Sequence, residues 1–74
     1  MPFKNPLPAI VLTFGANVRR ERRALHMTQE RLGELAGIDR SYLQRLEKGC
    51  SNPSLDVAVR LKKALGCSWE RLMS

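Results

Sequence analysis

Residues 28–49 read TQERLGELAGIDRSYLQRLEKG. Thr28 is a good N-cap residue, and the QERLGELA that follows sets Leu32, Leu35 and Ala36 on one helical face. The usual capping box is incomplete, because Arg31 stands where Glu or Gln would complete it. Gly37 ends this segment as a C-cap, a place that favours a left-handed residue. Asp39 then caps a further helix, from about Arg40 to Lys48, that Gly49 stops. On it Ile38, Tyr42, Leu43 and Leu46 gather on one side. Ser41, Gln44, Arg45 and Lys48 recur at helical spacing on the other. A solvated helix face usually mixes both signs of charge. This one carries no acidic residue, and each of its side chains can donate a hydrogen bond. Gly33 costs about 1 kcal/mol relative to Ala in a helix interior, which close approach of a neighbouring helix would offset.

The 74 residues leave room for one domain with one modest core. Hydrophobic residues make up 43%, enough for a small helical globule and too many for a disordered chain. Thirteen Lys and Arg against seven Asp and Glu leave a net charge of +6. Such an excess favours a polyanionic partner, nucleic acid before an anionic membrane surface, although solubility alone also uses charge. The longest apolar run, AIVL at residues 9–12, is far short of the roughly 20 residues that span a bilayer. Pro2, Pro6 and Pro8 break any signal-peptide pattern. Cys50 and Cys67 lack CxxC spacing and nearby His, so no metal is expected, and two free thiols suit a reducing cytoplasm. A single His, without nucleophile–base spacing or paired carboxylates, argues against an enzyme, and no cofactor is implied.

Outside the central segment, residues 1–12 read as an extended N-terminal arm, because three prolines fix φ and remove donors. Residues 13–74 read as the folded domain. A first helix is expected from about Phe14 to Leu25, capped by Thr13, with Phe14, Val18, Arg22 and Leu25 on one face. CSNPS, residues 50–54, is a loop. A helix from Leu55 to Leu65 follows, capped by Ser54, stopped by Gly66 and turning Leu55, Ala58, Leu61 and Leu65 to the core. A last turn, SWERLM, is capped by Ser68. The fold class is therefore all-α, five short helices. Two charges stand on apolar faces, Arg22 and Glu47. Either both snorkel to solvent or they form an ion pair that clamps the first helix to the third.

The order of these elements resembles the Cro/cI-type (XRE) helix-turn-helix transcriptional regulators, from about Phe14 to Met73. The shared pattern is Thr-Gln-Glu opening the second helix, Leu-x-x-x-Ala-Gly-Ile into the turn, Leu-x-x-Leu-Glu-x-Gly closing the third, and Asn-Pro-Ser-Leu opening the fourth. The resemblance implies a compact five-helix bundle of the lambda repressor-like type, with helices two and three as the DNA-binding pair. It favours the Arg22–Glu47 ion pair and makes the polar stripe a recognition face. A helix fits the DNA major groove, and residues near its N-terminus reach base edges. Arg40, Ser41, Gln44 and Arg45 are placed for this, with Gln44 and Arg45 foremost, and Lys48 completes the stripe. Gln29 is expected to hold a phosphate at the start of the second helix. Asn52 and Tyr42 are weaker phosphate candidates, Tyr42 serving equally as half-buried packing. Arg19, Arg20 and Arg23 form a basic run whose ordinary meaning is a solvated face, though its charge can help.

Three departures from the pattern stand out. His26 occupies a turn position where the family often has Gly, Gly33 replaces Ala, and Lys62 replaces a small apolar residue. The function implied is sequence-specific binding of double-stranded DNA, as a homodimer on an inverted repeat, to regulate transcription. Trp69, Leu72 and Met73 are the expected contact between copies, with Trp69 as a cap on the monomer core the competing use. Such a protein acts by occupying DNA, by touching RNA polymerase, or through its own concentration. LAGIDRSYLQRLEKG and the short length lean toward the controller proteins of restriction–modification systems. The alternative is an antitoxin-like or other interaction module whose Pro-rich arm and AIVL, or last helix, grips a partner protein.

Overall fold

The computed structural model describes residues 7–74. Its first helix, α1 (Ala9–Ala24), begins five residues before the expected start. Pro8 stands at the N-cap in an extended conformation, φ −56° and ψ 147°, and its carbonyl accepts from the Val11 amide at 2.9 Å. A proline just outside a helix costs nothing, because its missing amide would have had no partner there. Burial of Val11 explains why the helix reaches back so far. AIVL is thus the first turn of α1 rather than a free arm, and Thr13 is an interior residue, not a cap. The first six residues of the expected arm lie outside the described residues.

The remaining boundaries follow local chemistry. α2 (Gln29–Ala36) starts where the Thr28 hydroxyl accepts from the Arg31 amide at 3.0 Å, and it ends at left-handed Gly37. α3 (Arg40–Glu47) starts where Asp39 accepts from the Ser41 amide at 2.9 Å. α4 (Leu55–Leu65) is capped by Ser54, and α5 (Trp69–Met73) by Ser68. Among the described residues there is no strand, and no helix is long and apolar enough to cross a membrane.

α1 packs on α3 and α5, and α2 packs on α3 and α4. Phe14, Val18, Leu32, Leu43, Leu46, Leu61 and Leu72 fill the space between them. Gly33 sits where the chain turns back into α3, and a Cβ there would come 2.8 Å from the Ile38 carbonyl oxygen. The close neighbour is therefore the turn itself, and the buried stripe of α2 centres on Leu32, Gly33 and Ala36. Leu35, expected inside, is 46% exposed for that reason. Leu25 and Leu55, each at a helix end, are exposed too. His26 adopts φ +55°, a left-handed conformation that His tolerates better than most residues.

A polar network fastens α5, which buries only Leu72 of its own. Asn17 Nδ2 donates to the Leu72 carbonyl at 2.9 Å. Arg20 donates to Asn17 Oδ1, to the Glu21 carboxylate and to the Arg71 carbonyl. Arg71 reaches Glu21 Oε2 from the other side at 3.0 Å. Every group is answered, so the half-buried polar cluster carries little desolvation cost.

Candidate nucleic-acid interface

The polar stripe of α3 is built by its cap and by its inner face. Asp39 takes the Ser41 amide and the Ser41 hydroxyl together, which fixes the first turn. Those bonds, the side-chain one first, hold the Asp39 carboxyl below its ordinary pKa and keep it ionised. Leu43, Leu46 and Glu47 are buried, so Arg40, Ser41, Gln44, Arg45 and Lys48 all face solvent. Since the Ser41 hydroxyl donates to Asp39, it is left to meet a partner as an acceptor. Tyr42 is half-buried against the core, and the Arg45 guanidinium lies over its ring at 5.9 Å.

Glu47 is kept out of this face by Arg22. Arg22 Nε lies 2.7 Å from Glu47 Oε2, and Arg22 Nη2 lies 2.9 Å from Oε1. The predicted ion pair is therefore present, bidentate and almost wholly buried. Arg22 Nη1 donates to the Met27 carbonyl at 2.8 Å, which ties the turn before α2 into the same knot. Gln29 Nε2 donates to Glu47 Oε1 at 3.0 Å. The side chain expected to hold a phosphate thus braces Glu47 with one amide hydrogen, and an amide nitrogen carries a second.

Between the end of α1, the start of α2 and the polar stripe of α3 lies an open cleft of about 420 Å³. Arg19, Arg22, Arg23, Thr28, Gln29, Gln44, Glu47 and Lys48 line it. Gln29, Gln44 and Lys48 are thus brought together. Arg40, Ser41 and Arg45 lie further round α3, outside the cleft. Asn52 is not brought to it: it borders a separate apolar groove with Ile10, Pro53, Leu55 and Met73. Sequence reasoning treated Arg19 and Arg23 as part of a solvated run and missed that they wall this cleft. Their spacing of four, each one residue after a buried one, Val18 and Arg22, was the signal that could have shown it.

The other face of interest is apolar. Trp69 and Met73 are each 37% exposed, as the expected contact between copies requires. Leu72 is not: at 0% exposure its side chain belongs to the monomer core, the one side chain that α5 buries. Lys62, the unexpected charge on α4, places its Nζ over the Trp69 ring at 5.6 Å, leaving its stem half-buried. Both cysteines are free thiols, and burial pushes the Cys67 thiol pKa up. Among the described residues no cluster of His, Cys, Asp or Glu could hold a metal ion.

A family profile described as helix-turn-helix matches residues 18–72. An HTH-type transcriptional regulator from Methanothermobacter thermautotrophicus is 45% identical over 49 residues, spanning 66% of this chain and 71% of that protein. The control protein C.BamHI from Bacillus amyloliquefaciens is 40% identical over 58 residues, spanning 77% and 72% of the two chains. The crystal structure of the restriction–modification controller protein C.AhdI from Aeromonas hydrophila superimposes with a TM-score of 0.81 at 37% identity, covering 88% of this chain and 98% of that one. With α2 and α3 disposed as above, the chain belongs to the Cro/cI-type (XRE) helix-turn-helix family of DNA-binding transcriptional regulators.

Proposed function

We propose that the protein regulates transcription by reading a specific duplex sequence with α3, as a homodimer on an inverted repeat. The observation that carries this is the composition of the exposed α3 face. It offers Arg40, Ser41, Gln44, Arg45 and Lys48 to solvent while its one glutamate is buried against Arg22. An α-helix enters the major groove, where Arg meets guanine and Gln meets adenine in bidentate fashion. Gln44 and Arg45 read bases, and Tyr42 steadies Arg45 from behind. Arg40 and Ser41 sit at the helix start, where base edges are nearest. Lys48 and the free amide hydrogen of Gln29 hold backbone phosphates. Asn52 belongs to the same phosphate set only at the margin of the footprint.

One recognition helix covers a few base pairs, so two copies about 34 Å apart supply the length a specific site needs. The half-exposed Trp69 and Met73 support contact between copies through α5. Relatives named as restriction–modification control proteins support a role in setting the expression of such a system, by occupying DNA or by contact with RNA polymerase. Sedimentation equilibrium tests the dimer: at high micromolar concentration the 8.4 kDa chain is expected at twice its mass, and monomer alone would contradict it.

A further inference from the structure

The cleft beside α3 has an electrostatic property that its lining residues reveal only together. Of the described Lys and Arg side chains, Arg20, Arg22, Arg31, Arg60 and Arg71 have carboxylate partners. Among the described residues that have none, Arg40 and Arg45 stand on α3 and Lys62 and Lys63 on α4, while Arg19, Arg23 and Lys48 line the cleft together. Its single carboxylate, Glu47, is answered by Arg22 and by Gln29. Arg19 and Arg23 also border a second, open hollow with Ala16 and Arg20 on α1. Arg20, between them in sequence, lines only that second hollow and not the cleft, and its guanidinium is bound to Asn17, Glu21 and the Arg71 carbonyl.

From this we infer that Arg19 and Arg23 form a backbone-phosphate site on α1, gripping duplex DNA alongside the groove that α3 enters. The inference rests on the DNA-reading role of α3, whose own Gln44 and Lys48 form one wall of the cleft. Three uncompensated cations around an open hollow attract an oxyanion strongly, and nothing encloses a small free anion there. A duplex strand running past α3 supplies phosphates at this place without further rearrangement. The grip is blind to sequence: it sets register and strength, while α3 chooses bases.

The test is the salt dependence of binding to a labelled duplex of arbitrary sequence, which takes base readout out of the measurement. Each of Arg19→Ala and Arg23→Ala is expected to reduce the log–log slope by about 0.9, the share of one phosphate contact, and the double variant by about twice that. Arg19→Lys and Arg23→Lys keep the slope, since charge and not fork geometry makes the contact. Arg20→Ala, compared well below its melting temperature, also keeps it. Both arginines are exposed and have no side-chain bond among the described residues, so the alanine variants are expected to melt with the wild type. A wild-type slope retained by the double variant would overturn this site while leaving the α3 reading intact. Failure of the wild type to bind any duplex, even in dilute salt, would overturn both. Inorganic phosphate at constant ionic strength is expected to leave the duplex titration unchanged. Competition by it at millimolar concentration would instead make the cleft a site for a free oxyanion and overturn the backbone assignment.

Discussion

Arg22 and Glu47 face each other across the α1–α3 junction with two hydrogen bonds, 2.7 and 2.9 Å long, and both side chains are almost wholly buried. The pair does two jobs. It closes the core under α3, and it draws the Glu47 carboxylate away from the cationic stripe. A buried pair is weak evidence of net stability, because desolvation offsets much of the attraction. Breaking one side is another matter. Glu47→Ala leaves the Arg22 charge and the Gln29 amide without their acceptor, and is expected to cost about 3–5 kcal/mol by chemical denaturation. Replacing both, as Arg22→Met with Glu47→Leu, is expected to recover most of that loss. A Glu47→Ala variant with unchanged stability would mean that both charges reach water.

Gly15 supports the same junction from the backbone. A Cβ there would run into the Leu46 carbonyl, which is main chain and cannot swing aside. Helix propensity alone makes Gly→Ala favourable by about 1 kcal/mol. Here the expected outcome is the opposite sign, a loss of about 1–3 kcal/mol or more as α1 is pushed off α3. Thermal melting of Gly15→Ala decides which effect wins.

Acid should loosen α5 first. The Arg71 guanidinium, then that of Arg20, hydrogen-bonds Glu21 and holds its carboxyl below the ordinary value of 4.5, against the opposing effect of burial. Because the folded pKa is the lower one, this contribution is complete above the unfolded value and fades as pH falls through the folded one. Unfolding measured from pH 6 down to about 2 is expected to show a loss of stability beginning near pH 4.5. Glu21→Gln should start less stable at neutral pH and lose less on acidification. Equal slopes for the two proteins would dissociate Glu21 from the acid response.

On DNA, the two kinds of contact should separate in mutants. Arg45→Ala is expected to weaken binding by about 1–3 kcal/mol and to relax preference at one base position. Gln29→Ala is expected to weaken all sequences alike, with some loss of thermal stability because it also braces Glu47. Competition titrations over a set of single-base variants of the preferred site read both effects. If Arg45→Ala kept every preference, Arg45 would be a phosphate contact and not a reader.

Much of this architecture is written locally. Thr28, Asp39, Ser54 and Ser68 each accept an amide at the helix start where a capping residue is expected, and Gly37 and Gly66 end α2 and α4 in left-handed conformations. The start of α1 is not local: Pro6 and Pro8 argue for a break, and only burial of Val11 against the rest of the molecule settles the matter. The apolar spacing on α5 placed Leu72 beside Trp69 and Met73 but could not say which of them points inward. The stripe on α3 is visible as pattern, being periodic, whereas the pattern leaves Arg22 and Glu47 either paired or snorkelling and only the family resemblance favours the pair. The second partner of Glu47 is not visible, because Gln29 comes to it through the mutual packing of α1, α2 and α3. The same packing sorted the basic run of α1, sending Arg20 to α5 and leaving Arg19 and Arg23 beside α3.

Selection from a pool of random duplex DNA asks whether α3 reads a sequence at all. The expected result is an enriched motif made of two similar words in inverted orientation, with centres about 10 base pairs, one helical turn, apart. A pool that stays unenriched at low salt would contradict it.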